Sequence, residues 1–308
     1  MSATALPATS DPSGGWEPCS DRSLERADPL AGTGGSGARW LLVEIDGAWG
    51  THALVQSRLD PELGRALTRR AEHAGIRPVA IRRFGRRADE RRAQTRWRWA
   101  LADARPGQES LRWGEVDDPA ELLTLPLDGT AGTPSARPAM LVCTHARHDQ
   151  CCAVRGRPVA ASLAATYPDE TWESSHLGGD RFAATMIVLP EGLYYGRVPA
   201  SHVAHIVEQH GRGEVVEQYY RGRSSLSNAV QAAQSFARAE TGDLRIESFA
   251  PLREERGDDG WTVDLAHGGD VVTVVMRERM SEPLLSTCAA TLPTSVREFV
   301  PVSVTRGR

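Results

Sequence analysis

Residues 139–198 read AMLVCTHARHDQCCAVRGRPVAASLAATYPDETWESSHLGGDRFAATMIVLPEGLYYGRV, and the order of elements in this stretch decides the fold. Met140–Cys143 reads as a strand that ends in a cysteine. Cys152–Tyr167 carries apolar residues at helical spacing. Thr171–Ser175 suits a second strand and runs into a Gly178–Gly179 turn. Ala184–Leu189 and Leu193–Val198 flank Pro190-Glu191-Gly192, the pattern of a hairpin. Ser201–His210 then predicts a helix capped by Ser201. The order β-α-β-turn-β-β-α is that of a thioredoxin-like domain, here residues 137–213.

Working outward, Trp40–Ile45 is a nearly continuous apolar run, as in a strand buried on both faces. Pro61–Ala74 follows with helical spacing, and Arg77–Arg82 and Thr95–Leu101 read as further strands. Strand, helix, strand is a βαβ unit, so residues 38–130 predict an α/β domain, joined to the next by a Pro/Gly-rich linker over Leu125–Pro138. Residues 1–37 are rich in Ser, Gly, Pro and Ala and read as a flexible arm carrying Cys19. Residues 214–308 predict an α+β extension: a helix over Ser225–Ala239, then strands over Leu244–Leu252, Trp261–Leu265, Val271–Arg277 and Val302–Thr305. The fold class expected is α/β. No repeat of fixed period stands out in the sequence.

The chain has 308 residues, with 36 basic against 40 acidic side chains and a formal charge of −4. That balance gives no global polyanion-binding signature. Every one of the basic residues is arginine. Without lysine, P-loop nucleotide hydrolysis, Schiff-base chemistry and protein-kinase chemistry are excluded. Five cysteines are too few for a disulfide scaffold. No run approaches the roughly 18 apolar residues of a membrane helix, and the first residues lack a secretory-signal pattern. A cytoplasmic protein is expected.

Chemistry concentrates in Cys143-Thr-His145-Ala-Arg-His148-Asp149-Gln-Cys151-Cys152 and in His176-Leu-Gly-Gly-Asp180. Thiolates with imidazole suit zinc, copper or an iron–sulfur cluster. His176 and Asp180, four apart, share one face of a helical turn, and the two glycines between them leave room for a bulky group. Any single cysteine here is as readily an inert packing residue; the joint arrangement is what points to a site. Thioredoxin-type catalysis needs Cys-x-x-Cys, which is missing.

The stretches CTHARHDQCCAVRGRPVA and WESSHLGGDRFAATMIVLPEGLYYGRV resemble the sucrase/ferredoxin-like family, relatives of the thioredoxin-like ferredoxins. The likeness extends to GARWLLVEIDGAWGTHALVQSRLD (Gly37–Asp60) and to YYRGRS around Arg221. The resemblance implies a thioredoxin-like ferredoxin domain holding a 2Fe–2S cluster on two cysteines of the first motif and two histidines of an H-x-G-G-H turn. Carried over, Cys143 and Cys152 match the thiolates and His176 the first histidine. Asp180 stands where the second histidine is expected. A carboxylate there would lower the potential relative to a two-histidine site. Asp180 could instead orient a ligand, with Cys151 as the fourth donor. Because thiolate suits ferric iron better than carboxylate, Cys143, Cys151, Cys152 and His176 are the preferred set and Asp180 the alternative. Adjacent helical residues point about 100° apart, so the preferred set requires irregular backbone at Cys151.

The function expected is one-electron transfer, proton-coupled if a ligating histidine keeps an exposed nitrogen, with a redox protein or reductase as partner and no substrate of its own. The alternatives are a thiol oxidoreductase or redox sensor on Cys143, Cys151 and Cys152, and a zinc-stabilised interaction module. Arg155, Arg157 and Arg181 read as solvated residues that could offset cluster charge. His145 and His148 read as local hydrogen-bonding residues, His202, His205 and His210 as one face of a plain helix, and Cys288 as structural. The eight arginines of Arg82–Arg98 read first as a solvated, charge-protected edge, then as a docking patch for a redox partner, and last as a nucleic-acid surface. No pair of acids is spaced for a glycosidase, so sugar hydrolysis is not expected.

Overall fold

Trp40, Leu41, Leu42 and Val43 are all fully buried, and a strand covered on both faces belongs inside a sheet. The computed structural model describes residues 17–87 and 94–307. After a short helix α1 (Cys19–Glu25), the apolar run forms β1 (Arg39–Glu44), followed by α2 (Pro61–His73), β2 (Ile76–Arg82), β3 (Trp97–Asp103) and β4 (Ser110–Val116). Asp60 starts α2 by accepting the N–H groups of Glu62 and Leu63, with Pro61 in the first turn. β1 runs parallel to β2 and antiparallel to β3, and β3 antiparallel to β4.

A two-residue edge strand β5 (Thr133–Pro134) leads to β6 (Ala139–Cys143), α3 (Gln150–Thr166), β7 (Thr171–Ser174), β8 (Met186–Leu189), β9 (Leu193–Tyr195) and α4 (Val203–Gly211). β6 runs parallel to β7 and antiparallel to β8, and β8 antiparallel to β9. This is thioredoxin-like topology. It is also the order and sense of β1–α2–β2–β3–β4, so the chain contains the same strand-helix-strand-strand-strand plan twice. The two units join where β2 meets β7 antiparallel, Ile81 opposite Ser174 and Arg82 opposite Glu173. With β10 (Tyr220–Arg223) on the far edge, one ten-stranded sheet results, in the order β10-β9-β8-β6-β7-β2-β1-β3-β4-β5.

The seam is arginine-rich and inward-facing. Arg82 is 2% exposed, which places it inside the molecule. Its Nε donates to Glu173 Oε2 at 2.7 Å, Nη1 donates to the Gly47 carbonyl, and the guanidinium lies over the Trp49 ring. Arg83 stacks on Trp172 and donates to the carbonyls of Pro168, Asp169 and Thr171, while Arg98 lies over Trp113. The run read as a continuous solvated edge therefore begins inside the molecule; its residues 88–93 lie outside the described residues.

Beyond the large sheet, α5 (Asn228–Thr241) is capped by Ser227. It packs Ala229, Val230, Ala233 and Ala237 against Val263, Leu265, Val272 and Val274 of a second, antiparallel sheet. That sheet runs β11 (Ala250–Gly257), β12 (Gly260–His267), β13 (Asp270–Met280) and β14 (Arg297–Gly307).

Three expectations are corrected. Ser201 does not cap α4: His202 occupies the cap without a side-chain bond to the helix, and the Ser201 hydroxyl pairs with His202 Nδ1. The strand expected over Leu244–Leu252 begins only at Ala250, because Asp243, Arg245 and Ser248 close the preceding segment into a hydrogen-bonded turn. The expected arm holds helix α1, with Cys19 fully buried; its residues 1–16 lie outside the described residues.

Candidate metal centre

The site forms where β6 stops and α3 starts. Cys143 is the last residue of β6. Asp149 accepts the N–H of Cys151 at 2.8 Å and thereby caps α3, which begins at Gln150. From there the helix is regular, so Cys151 and Cys152 diverge. Gly156, one turn on, lets α3 lie against β6: a Cβ at that position would sit 2.0 Å from the Cys143 carbonyl oxygen. This close approach brings Cys152 to Cys143. His176 arrives from the turn after β7, where Gly178 and Gly179 adopt φ of +102° and +80°. Arg77 and the Tyr194 hydroxyl hold the Leu177 carbonyl, and Arg221 holds that of Gly178.

The sulfurs of Cys143 and Cys152 and a ring nitrogen of His176 lie within 4.8 Å of one another. Asp180 closes the group, its Oδ1 3.1 Å from both Cys152 Sγ and His176 Nδ1. A further histidine joins. The His148 ring stacks on His176 with centroids 3.6 Å apart, and its Nε2 lies 3.7 Å from Asp180 Oδ2. His145 turns away and pairs its Nε2 with the Gly50 carbonyl at 2.6 Å, edge-on to Trp49. His202 meets Tyr219 and His210 meets Glu191, so neither reaches this site.

Cys151 is not at this centre. Its sulfur sits beside those of Cys19 and Cys288 on the other side of the helix start. The preferred four-ligand set is therefore corrected at Cys151, and the reason is the Asp149 cap, which keeps the backbone there helical. The glycines also differ from expectation. At Gly178 an added Cβ would meet nothing within 4 Å, but at Gly179 it would meet the Arg221 guanidinium. The spare room is at Gly178 alone. Arg181 is largely buried and paired with Asp28, which corrects its reading as a solvated residue, whereas Arg155 is exposed and pairs with Asp21 at the surface, as expected.

Burial and mutual contact set the protonation pattern of the metal-free group. The hydrogen bond from Cys152 holds the Cys143 thiol well below its usual pKa against the opposing effect of burial, with help from His176. The same hydrogen bond, together with burial, pushes Cys152 well up. Burial alone would lower His176, but its bonds to Asp180 and Cys143 overcome this and raise it to about 9. Burial would raise Asp180, yet the His176 bond brings it below the ordinary carboxylate range. His148 is lowered by burial and by its neighbour His176. These shifts favour the ionised forms of Cys143, His176 and Asp180 in the metal-free group. Two thiols, one or two imidazoles and a carboxylate form a donor set that fits a soft or borderline metal ion or an iron–sulfur cluster.

A groove of about 360 Å³ opens on the histidine edge of the centre. His52, Leu54 and Glu72 of the first unit form one wall, and His145, His148 and His176 the other. The first unit thus shapes access to a centre whose donors all belong to the second.

A family model described as sucrase/ferredoxin-like matches residues 30–222. The chain belongs to the sucrase/ferredoxin-like family. Three solved structures of a thioredoxin-like 2Fe–2S ferredoxin from Aquifex aeolicus are similar to part of this sucrase/ferredoxin-like chain. One is 24% identical and covers 30% of this chain and 97% of the ferredoxin, with a TM-score of 0.26. The other two are cysteine-to-serine variants, 26% and 25% identical, each covering 28% of this chain and 99% of its own, with TM-scores of 0.25 and 0.24. No curated protein matches the chain. Among the described residues, no helix is long and apolar enough to cross a membrane.

Proposed function

We propose that this chain is a one-electron carrier holding a 2Fe–2S cluster on Cys143, Cys152 and His176, with Asp180 as the fourth ligand. The observation that carries the reading is the convergence of two buried sulfurs and an imidazole within 4.8 Å of one another, with Asp180 Oδ1 lying 3.1 Å from both Cys152 Sγ and His176 Nδ1. When bound, such a cluster supplies a one-electron couple tuned by ligand charge and burial.

The chain's own residues prepare the rest. Cys143 is already favoured as a thiolate, while Cys152 and His176 must each release a proton to become ligands. Arg77, Tyr194 and Arg221 fix the turn that carries His176, so the donor geometry is set by the fold. His148 covers His176 and keeps bulk water off its ring face. His176 remains 28% exposed at the groove, which makes the histidine edge the route for electrons and protons to a redox protein or reductase.

The test is anaerobic purification with iron and acid-labile sulfide assays and EPR before and after dithionite. Equal iron and sulfide, with a signal that appears on reduction, is the expected result. Protein that stays iron-free after reconstitution with iron and sulfide overturns the reading.

A further inference from the structure

Three of the five cysteines lie outside the centre described above, and they meet one another. Cys19 Sγ is 3.6 Å from Cys151 Sγ, Cys151 Sγ is 3.2 Å from Cys288 Sγ, and Cys288 Sγ is 3.6 Å from Cys19 Sγ. The triangle is nearly equilateral. Tetrahedral zinc with zinc–sulfur bonds of about 2.3 Å sets its sulfurs about 3.8 Å apart, so these three need move only a few tenths of an ångström to share one ion. Asp149 supplies a fourth donor, its oxygens 3.8 and 3.9 Å from Cys19 Sγ. The same carboxylate accepts the N–H of Cys151 at 2.8 Å and of Cys288 at 2.7 Å. It thus fixes two of the three cysteine backbones while keeping lone pairs for a cation. Cys19, Cys151 and Asp149 are buried, and Cys288 is partly buried.

The segments that meet here are held mainly by polar contacts, among them Asp21 of α1 with Arg155 of α3 and Ser23 with Arg197, and a metal would tie them further. Helix α1 has seven residues, too short to persist alone. Its buried face is Cys19, Ser20 and Ser23, whereas its one large apolar residue, Leu24, is 62% exposed and contributes little to holding it. Cys288 sits in the connection between β13 and β14, residues 281–296, which an isolated bridge between Leu284 and Thr294 closes near its base but which has no helix or strand beyond it and leaves Leu292 77% exposed. Irregular connections of more than about 12–15 residues are uncommon unless something organises them. Both segments converge on the start of α3, and Arg22 of α1 reaches the Thr287 carbonyl beside Cys288.

We propose a second metal site, distinct from the electron-transfer centre, in which Cys19, Cys151, Cys288 and Asp149 bind one Zn²⁺ that staples helix α1 and the 281–296 connection to the start of α3. Binding releases the thiol protons to solvent, and no electron is exchanged. All four positions are filled by protein, which is the signature of a structural rather than a catalytic zinc. This site does not rest on the cluster reading, because the two share no ligand.

Zinc, iron and sulfide measured on the same full-length samples test it. About one zinc per chain is expected in the wild type, falling at least about tenfold in Cys19→Ser/Cys288→Ser while iron and sulfide persist. In Cys143→Ser/Cys152→Ser the iron is lost and the zinc stays. Should the first variant fail to fold, the wild type still decides: alkylation of Cys288 should rise when a chelator removes zinc. Zinc-free wild type after growth in zinc-supplemented medium, zinc retained by Cys19→Ser/Cys288→Ser, or chelator-independent labelling of Cys288 would each overturn the proposal. Zinc present without iron would sink the cluster reading alone.

Discussion

Asp180 is the residue at which this chain departs from the pattern its motif suggests, and the departure has a readable consequence. A carboxylate bound to iron adds negative charge that a neutral imidazole does not. On the proposed cluster reading, Asp180→His should therefore keep the cluster and raise its potential, by on the order of 100 mV, checked by redox titration followed by EPR. Cys151→Ser should leave iron and sulfide at the wild-type level, since its sulfur faces Cys19 and Cys288; loss of iron would return Cys151 to the first centre. The pH dependence of loading follows from His176. Its pKa in the metal-free chain is about 9, so at neutral pH a metal must displace its proton. Affinity of the metal-free first centre should rise at least about tenfold per pH unit from 7 toward 9 and go on rising less steeply above, where Cys152 still holds its proton, measured by cobalt titration of Cys19→Ser/Cys288→Ser. Residue type and spacing make the Cys/His/Asp cluster legible, and the choice of Cys143, Cys152 and His176 within it comes from the family resemblance. The place of Cys151 was not legible, because it depends on where α3 begins, and that is set by one hydrogen bond to Asp149. His148 depends on the path of a loop, which no spacing rule describes.

At the scale of elements, the contact of α3 with β6 builds the first centre, and Gly156 makes it possible. Gly156→Ala would drive a methyl into the Cys143 carbonyl. Helix and strand would have to separate, a cost of about 1–3 kcal/mol. The expected outcome is a lower denaturation midpoint together with reduced iron content, because Cys143 and Cys152 move apart; full iron content would mean that the packing is not what sets the site. Elements with continuous apolar runs, such as β1, β6 and β8, were plain in the sequence. β4 and β10 were not. β4 alternates only loosely, with Arg112 and Glu115 inside it, and β10 buries Arg221 and Arg223. Those two arginines are satisfied by partners far along the chain: Arg223 pairs with Glu109, and Arg221 donates to the Gly178 carbonyl and the Thr33 hydroxyl. A strand stabilised by distant polar partners carries no local hydrophobic signal.

Over the whole molecule, the decisive feature is the antiparallel join of β2 and β7, which turns two like units into one sheet and sets the first unit beside the candidate metal centre. The repeat was invisible as a sequence period because the shared plan is one of strand order, filled by different residues and loops of different length. Arg82 and Glu173 are opposite each other at this join, and each side chain is 3% exposed. Their attraction must offset the cost of taking both charges out of water, and it does so only while both are present. Burial lowers the Arg82 pKa and Glu173 opposes that shift, so the guanidinium depends on its partner. Glu173→Gln leaves that charge buried with a weaker acceptor, and the expected loss is about 3–5 kcal/mol, read as a fall in the denaturation midpoint. Replacing both residues, Arg82→Met with Glu173→Leu, removes the buried charge altogether and should recover much of that loss. Cluster content separates the two consequences of the join. If the seam serves only stability, the double variant should bind iron normally; if the register of β7 also positions His176, iron should fall even where the midpoint is restored.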